Sequence, residues 1–183
     1  PITEAYLVAS PNSAGKKIQF LGKEHTVINL EEFDFSKVKI AFFAAGSAIA
    51  EKWAPIAAEK TIVIDNSKFF RKDPEIPLIV PEVNSKELPK FKNKNIIANA
   101  NCSVIPIVVA LKPLHDLYNV KRIVASTYQS LSGAGKAGMD ELISQTKEVL
   151  ENKNVHSKNF TKQIAFNAIP PVSYTHLTLP TSG

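Results

Sequence analysis

The sequence predicts an α/β fold with a mostly parallel sheet, and two observations support this prediction. Short runs rich in valine and isoleucine alternate along the chain with longer segments whose apolar residues recur at helical spacing. Several of the short runs are almost continuously apolar, which is typical of parallel strands covered on both faces. The chain has 183 residues, 44% of them hydrophobic and 21% charged, so it fits one domain, or one domain and part of another.

The first half of the chain begins with short strands and then alternates strand and helix. A glycine at the centre of an otherwise strand-like run, Leu21-Gly22, predicts the turn of a hairpin. The apolar run that ends at Gly46 predicts a strand buried on both faces. In order, the predicted elements are a strand at 6–10, a hairpin at 16–28, a strand at 37–46, a helix at 47–60 and a buried strand at 61–66.

Prolines punctuate the second half. Pro106 falls near the first turn of a predicted helix, where proline is tolerated, whereas Pro113 should kink or interrupt that helix. The last predicted helix is amphipathic, with one side formed by Met139, Leu142, Ile143, Val149 and Leu150. In order, the predicted elements are an extended stretch at 76–83, a strand at 95–100, helix 103–118, a strand at 121–132, helix 136–153 and a strand at 163–170.

Composition argues against several classes of protein. The net charge is +5, but the densest basic cluster, at 86–95, has only Phe91 as an aromatic residue, so we predict a solvated loop and no nucleic-acid surface. No apolar segment resembles a membrane span and the first residues lack the pattern of a signal peptide, so we expect no membrane association. A single cysteine favours a reducing, cytoplasmic location. The histidines show no metal-ligand spacing, and we predict no metal site.

The only cysteine, Cys102, lies in the segment NANCSV, between a predicted strand and a predicted helix. Free backbone N–H groups and the positive end of the helix dipole favour a thiolate at such a position, and thiolate is the form that attacks a carbonyl group. Asn101 and Ser103 are candidate capping residues. The alternative is a small buried structural cysteine, which is a common fate of free cysteine.

Two further candidates follow buried strands, at the edge of a parallel sheet where α/β folds bind ligands. Arg71, in the segment DNSKFFRKD, is one of only two arginines, and its planar guanidinium suits phosphate or carboxylate binding better than lysine does. The alternative is a surface arginine that pairs with Asp65 or Asp73. Gly46, in the segment AAGS, would let a cofactor come close to the backbone, or it only starts a helix.

The segment SLSGAGKAG matches the G-x-G-x-x-G pattern through Gly133, Gly135 and Gly138. It follows a predicted strand and precedes a predicted helix, as a dinucleotide-binding loop does. That loop normally follows the first strand of its sheet, whereas several βα units precede this segment. The sequence therefore predicts a small-residue loop whose N–H groups approach a phosphate or carbonyl oxygen, and the alternative is a tight strand-to-helix turn.

Taken in order, these segments resemble the motifs of one enzyme family, the aspartate-semialdehyde dehydrogenases. VIDNSKFFRKDPEIPLIVPEVN, NANCSV, STYQSLSGAG and IAFNAIP follow the family's order, and the resemblance covers about residues 1–170. It implies a Rossmann-like NAD(P)-binding domain at 1–101, without its first strand-turn-helix, and the start of an α+β catalytic and dimerisation domain at 102–171. The tail at 172–183 resembles the translated read-through of a sequencing adapter, and we predict that it is not native.

The resemblance also implies an oxidoreductase. The family reduces L-aspartyl-4-phosphate with NADPH to L-aspartate 4-semialdehyde, in homodimers, and so supplies lysine, threonine, methionine and diaminopimelate synthesis. The site residues that it implies are Cys102 as the nucleophile that forms a thioester, Gln129 to orient the substrate, Arg71 to hold the phosphate, Asn101 beside the nucleophile, and Gly46, Ser132 and Gly133 at the NADP(H) cofactor.

The sequence departs from the family pattern at both ends. The family's Gly-rich fingerprint would lie before Pro1, and its general-base histidine lies in the C-terminal half of the family chain, so we expect a fragment that does not catalyse by itself. Asn12 stands where a family arginine recognises the 2′-phosphate of NADP, which leaves the choice between NADP and NAD open.

Two other hypotheses stay open. Another acyl-phosphate reductase, such as N-acetylglutamyl-phosphate reductase, would apply the same thiol chemistry to a different substrate. A non-catalytic remnant that only dimerises would carry Cys102 without enhanced reactivity.

Overall fold

The computed structural model describes residues 2–169, so the predicted tail at 172–183 lies outside the described residues. The chain forms two compact units, one that extends to Ile123 and one that begins at Val124. The domain boundary predicted after residue 101 stays a prediction. Among the described residues, no helix is long and apolar enough to cross a membrane.

The first unit consists of short strands and three helices within the described residues. The strands are β1 (Val8–Ala9), β2 (Lys17–Phe20), β3 (Lys23–Thr26), β4 (Ile28–Asn29), β5 (Ile40–Phe43), β6 (Ile62–Asp65), β7 (Leu78–Ile79) and β8 (Ile96–Asn99). The helices are α1 (Ser47–Ala58), α2 (Pro81–Asn84) and α3 (Val104–Tyr118). The second unit contains α4 (Gly135–Leu150).

A four-stranded parallel sheet organises the first unit, in the order β5-β6-β8-β7. The helix α1 connects β5 to β6 and lies on one face of the sheet. Its buried residues are all alanine, which lets the helix backbone approach the strands closely. The resulting core contains Phe43, Val63, Ile96 and Ala98 from the strands. The predicted α/β class with a mostly parallel sheet is confirmed.

The predicted hairpin is present as β2 and β3, which pair antiparallel. Both turn residues, Leu21 and Gly22, have positive φ values, 51° and 74°. A two-residue turn of this kind matches the right-handed twist of the flanking strands. Asparagine or glycine usually occupies the first turn position, so Leu21 adopts a conformation that costs it some steric strain.

Three predicted features of the first unit differ in the structure. Within the described part of the chain, α1 covers one face of β5 and the other face is open, since Phe42 is 77% exposed. The extended stretch at 76–83 keeps only β7 as a strand, since Pro81 starts the short helix α2, a position that suits proline. Pro113 does not interrupt its helix, because α3 continues through it to Tyr118.

Two predicted strands are absent from the described residues. Residues 121–130 form no strand there, and Leu131–Ala134 is a 3₁₀ turn. The segment 163–169 is held in turns instead of a strand, and Pro170 lies outside the described residues. A strand requires a hydrogen-bonded neighbour, and apolar β-branched residues alone do not supply one. Both predictions are therefore wrong for the described part of the chain.

The predicted final helix is confirmed as α4, but its orientation is not the one that the pattern suggests. The buried residues of α4 are Gly138, Glu141 and Gln145, whereas Ile143 and Leu150 on the apolar side are exposed. Polar side chains on the buried face bind the backbone that follows the helix, and that interaction replaces apolar packing.

Candidate active site

Three of the strands in the parallel sheet end next to residues that the sequence singled out. β5 precedes Gly46, β6 precedes the segment that carries Arg71, and β8 precedes Cys102. The carboxyl ends of parallel strands meet at one edge of a sheet, which is where α/β folds bind ligands. The structure therefore brings the first-unit candidates together at one edge.

The segment that carries Arg71 begins with a turn closed by a buried carboxylate. Asp65 is fully buried, and its Oδ1 accepts the Ser67 backbone N–H at 3.0 Å while its Oδ2 accepts the Ser67 hydroxyl at 2.7 Å. The Ser67 Oγ in turn accepts the Phe69 backbone N–H at 3.1 Å. The buried ring of Phe70 anchors the following 3₁₀ turn in the core. These contacts hold the backbone of Arg71 in place.

The Arg71 guanidinium is bound by main-chain carbonyls. Its Nε donates to the Asn99 carbonyl oxygen at 2.9 Å, and its Nη2 donates to the Asn66 carbonyl oxygen at 3.3 Å. The Asp65 carboxylate is engaged by Ser67, and the Asp73 Oδ1 accepts the Glu75 backbone N–H at 2.9 Å. Within residues 2–169 Arg71 has no carboxylate partner, so the surface ion pair considered as its alternative role is not formed. A half-buried guanidinium of this kind can bind an anion through the N–H groups that the carbonyls do not use.

Asn101 shapes the start of α3. Its backbone carbonyl accepts the N–H groups of Val104 and Ile105 at 3.0 and 3.1 Å, and its side-chain Oδ1 accepts the Ser103 N–H at 2.9 Å. Ser103 makes no side-chain capping bond. Cys102 lies in this first turn as an exposed free thiol, and not as the buried structural residue that was its alternative. A reagent or substrate can therefore reach the sulfur.

Gly46 ends the loop between β5 and α1 with a φ of +92°, a conformation that favours glycine. Among the described residues, apart from Gly46 and its two chain neighbours, no heavy atom lies within 4 Å of the position that a Cβ would occupy. The backbone at this point of the sheet edge is open to a ligand from the side where a side chain would otherwise stand.

The second unit brings its three candidates, Gln129, Ser132 and Gly133, into one short loop. A Cβ on Gly133 would lie 2.1 Å from the Gln129 Nε2, so the amide of Gln129 occupies the space beside the glycine. The Ser132 and Ser130 hydroxyls lie 2.8 Å apart, and the Ser132 N–H donates to the Ser130 Oγ at 3.3 Å. A Cβ at position 133 would collide with this amide, so glycine permits the observed position of Gln129.

The comparisons with known proteins agree on one family. Residues 1–91 match the semialdehyde dehydrogenase NAD binding domain, and residues 111–177 match the semialdehyde dehydrogenase dimerisation domain. Aspartate-semialdehyde dehydrogenase 2 of Vibrio cholerae is 53% identical over 173 residues, which are 94% of this chain and 51% of that protein. The crystal structure of aspartate semialdehyde dehydrogenase II from Vibrio cholerae has a TM-score of 0.88 at 53% identity and covers 94% of this chain and 52% of that one. The Aquifex aeolicus enzyme is 48% identical over 175 residues, 94% of this chain and 52% of that protein.

The chain belongs to the aspartate-semialdehyde dehydrogenase family. The resemblance that the motifs indicated is confirmed. The chain spans about half the length of the curated relatives it matches. Gly46 and Arg71 fall in the part that matches the family's NAD binding domain, and the Gln129 loop and α4 fall in the part that matches its dimerisation domain.

The glycine pattern of this family member has local structural causes. Gly135 has a φ of +77° where the loop enters α4. A Cβ on Gly138 would lie 2.9 Å from the Ala134 Cβ and 3.3 Å from the Phe160 Cζ, so that glycine permits close packing. Together with the contact between Gly133 and Gln129, these observations account for all three glycines of the G-x-G-x-x-G match.

Sequence reasoning missed two pairs of polar residues in this chain. Asn66 and Asn99 meet beside Arg71, where the Asn99 Nδ2 donates to the Asn66 Oδ1 at 2.7 Å. Their signal was present, because each directly follows or ends a buried strand. Glu141 and Gln145 bind the segment after α4, and no signal marked them, since they resemble residues of an ordinary solvated helix face.

Proposed function

We propose that the full-length protein reduces L-aspartyl-4-phosphate to L-aspartate 4-semialdehyde, with NADPH as the hydride donor and with release of phosphate. The arrangement that carries this proposal is the exposed thiol of Cys102 at the start of α3, three residues after Asn99, whose carbonyl oxygen binds Arg71. An acyl phosphate presents an electrophilic carbonyl group together with an anionic leaving group. The thiol can attack the carbonyl group, and a guanidinium without a carboxylate partner can bind the phosphate.

In the first step the Cys102 sulfur attacks the acyl carbon, the bond from that carbon to the phosphate oxygen breaks, and a thioester forms. Arg71 binds the phosphate through its unused donors and stabilises the negative charge as the phosphate leaves. Asn101 keeps the thiol at the start of α3 through its capping bonds. Covalent catalysis of this kind divides one difficult substitution into easier steps.

In the second step a hydride adds to the thioester carbon, and NADPH supplies that hydride when it is bound. The carbon–sulfur bond of the resulting hemithioacetal then breaks, which releases the aldehyde and restores the thiol. In the family, a histidine in the C-terminal half of the chain acts as the general base, and the resemblance assigns the proton transfers to that residue. Gly46 supports the cofactor assignment, because its positive φ and the open space beside it let a bound group approach the backbone.

Three residues of the second unit also receive roles in this proposal. We assign substrate orientation to the Gln129 amide, and cofactor contact to Ser132 and Gly133. The crystal structure of the Vibrio cholerae enzyme complexed with ASA, which is 52% identical over 94% of this chain, supports a semialdehyde as the substrate. The match of residues 111–177 to the family's dimerisation domain supports a homodimer. The single free thiol favours a reducing compartment, which we take to be the cytoplasm.

The test is a phosphate-dependent assay of the reverse reaction on the full-length protein. Aspartate semialdehyde and N-acetylglutamate semialdehyde are supplied in turn, with NADP or NAD, and the reduced nicotinamide is followed by absorbance. We expect turnover that requires phosphate and prefers aspartate semialdehyde and NADP by at least about tenfold. Oxidation without phosphate, or a preference for the N-acetylated aldehyde, would contradict the proposal.

A further inference from the structure

The side chains of Asn66 and Asn99 form a bridge across the carboxyl edge of the sheet, with 2.7 Å between the Asn99 Nδ2 and the Asn66 Oδ1. The backbone carbonyls of the same two residues accept the Nε–H and Nη2–H of Arg71. The three residues therefore form a closed arrangement, in which one side-chain bond joins the two acceptors of the guanidinium.

This bridge stands where the main-chain pairing of the two strands ends. β6 and β8 pair in register from Val63 with Ile96 to Asp65 with Ala98, and that is their last pair. Beyond it the Asn66 N–H donates to the Phe43 carbonyl of β5 at 2.8 Å, while Asn99 pairs with Ile79 of β7. The main chains of Asn66 and Asn99 thus turn to different neighbours. The amide bridge joins Asn66 and Asn99 directly, one residue beyond the last main-chain pair.

The separation of these two carbonyls determines the plane of the guanidinium. Arginine binds phosphate well because its planar group offers paired donors in a fixed geometry. The two carbonyls use the Nε donor and one Nη2 donor of Arg71. The plane of the guanidinium then fixes the direction in which its remaining N–H groups point. A small rotation would misalign the remaining donors with a bound phosphate.

We propose that the Asn66–Asn99 bridge is a positioning device that orients Arg71 toward the phosphate. This inference rests on the proposed function, since it assumes that Arg71 is the phosphate ligand. Asn66 and Asn99 act through the guanidinium and do not touch the substrate. Loss of the bridge should therefore weaken phosphate binding more than it slows the chemistry at Cys102.

The test compares Asn66→Ala, Asn99→Ala and the double variant in the full-length protein, with Asn99→Ser as a milder change. The KM for inorganic phosphate and kcat are measured in the direction of aspartate semialdehyde oxidation. We expect each single change to raise the phosphate KM about five- to tenfold with kcat changed less than about twofold, as the loss of one hydrogen bond predicts. The double variant should be no worse than either single one, because both remove the same bond.

Asn95→Ala is the matched control. Asn95 precedes the opposite end of β8 and donates one amide hydrogen bond, to the Ala58 carbonyl at 3.0 Å. Its loss should lower thermal stability and leave the phosphate KM unchanged. A rise in the phosphate KM with Asn95→Ala as large as that of Asn99→Ala would show a general effect of destabilisation and would overturn the inference.

Arg71→Lys separates the inference from the proposed function. If Arg71→Lys raises the phosphate KM and Asn99→Ala adds nothing in that background, the asparagines act through Arg71. If Arg71→Lys raises the phosphate KM but both asparagine variants match the parent, the positioning role is wrong and the proposed function stands. If Arg71→Lys leaves the phosphate KM unchanged, the assignment of Arg71 as phosphate ligand is wrong, and the inference fails with it.

Discussion

At the scale of single residues, exposure and hydrogen bonding help to decide between the alternative roles that the sequence left open for Cys102 and Arg71. Cys102 is accessible, and its neighbours Asn101 and Ser103 are bound to each other through the capping bond. Arg71 has carbonyl partners and no carboxylate partner in the described residues. Both observations favour roles in binding and catalysis over structural ones.

Replacement of Cys102 by serine tests the nucleophile. We expect Cys102→Ser to lower kcat at least about a thousandfold, because a hydroxyl without an activating base does not attack an acyl phosphate at a comparable rate. Steady-state assays of the full-length protein give kcat, and cofactor binding by fluorescence titration serves as the control for an intact fold. Activity within tenfold of the parent would rule out covalent catalysis by this residue.

Replacement of Gly133 by alanine tests the position of Gln129. A Cβ there would meet the Gln129 Nε2 at 2.1 Å, and that atom is the far end of a flexible side chain, so the amide should move while the fold persists. We expect Gly133→Ala to reproduce the change in substrate KM caused by Gln129→Ala, with stability changed by less than about 1 kcal/mol. Kinetics and thermal unfolding check this. A kinetic profile unlike that of Gln129→Ala would contradict it.

At the scale of elements, α4 holds the segment that follows it through buried amide and carboxylate groups. Gln145 is 1% exposed, and its Oε1 accepts the backbone N–H groups of Ile164 and Ala165 at 2.8 and 3.2 Å. The Glu141 carboxylate accepts the backbone N–H groups of Lys158 and Asn159 at 2.8 and 2.7 Å. These bonds replace the strand pairing that the apolar pattern of residues 163–170 predicted.

Replacement of Gln145 by leucine removes this attachment without a large change in side-chain volume. The N–H groups of Ile164 and Ala165 would then be buried without an acceptor, at a cost of about 1–3 kcal/mol for each group. We expect Gln145→Leu to lower the free energy of unfolding by at least about 2 kcal/mol in denaturant titrations. Ser144→Ala, one residue earlier on the exposed face, is the control and should change it by less than about 0.5 kcal/mol.

At the scale of the whole chain, both units leave large apolar side chains exposed. Tyr128, Leu117 and Phe42 are each more than 70% exposed, and so is Leu150 on α4. Apolar side chains that are exposed one at a time are normal on a protein surface, so these four do not by themselves define a binding face.

Glu141 should contribute to the loss of stability in acid. Burial raises the pKa of this carboxyl. The backbone N–H groups of Lys158 and Asn159, the Asn159 side chain and the Lys158 charge together outweigh burial and lower the pKa from its ordinary value. A lowered pKa in the folded state means that Glu141 stabilises the fold above the unfolded-state pKa of about 4.3 and that this contribution is lost as the pH falls through the folded value.

Denaturant midpoints between pH 7 and pH 3 check this dependence. We expect Glu141→Gln to be less stable than the parent at pH 7, and the difference to shrink as the pH falls below about 4. Glu151→Gln, at the exposed end of α4, is the control and should follow the parent throughout. A difference between Glu141→Gln and the parent that stays constant with pH would show that the carboxylate charge is not the cause.

The sequence by itself determined the α/β class, the strands β5, β6 and β8, the hairpin turn at Leu21-Gly22 and the family. Each of these depends on local spacing or on ordered motifs, which are visible without coordinates. It also placed Arg71, Gly46 and Cys102 after strands of one parallel sheet, and parallel strands bring such residues to one edge by geometry alone.

Only the tertiary structure decided which partners these residues bind. The bridge between Asn66 and Asn99 and the binding of Arg71 by two carbonyls join residues far apart in sequence, at the point where main-chain pairing ends. Tertiary structure also decided that Glu141 and Gln145 point inward and that residues 163–169 form no strand. Both follow from hydrogen bonds between α4 and the segment after it. Hydrogen bonds between distant segments choose among conformations that local pattern leaves equally acceptable, because a buried N–H group must find an acceptor wherever the fold provides one.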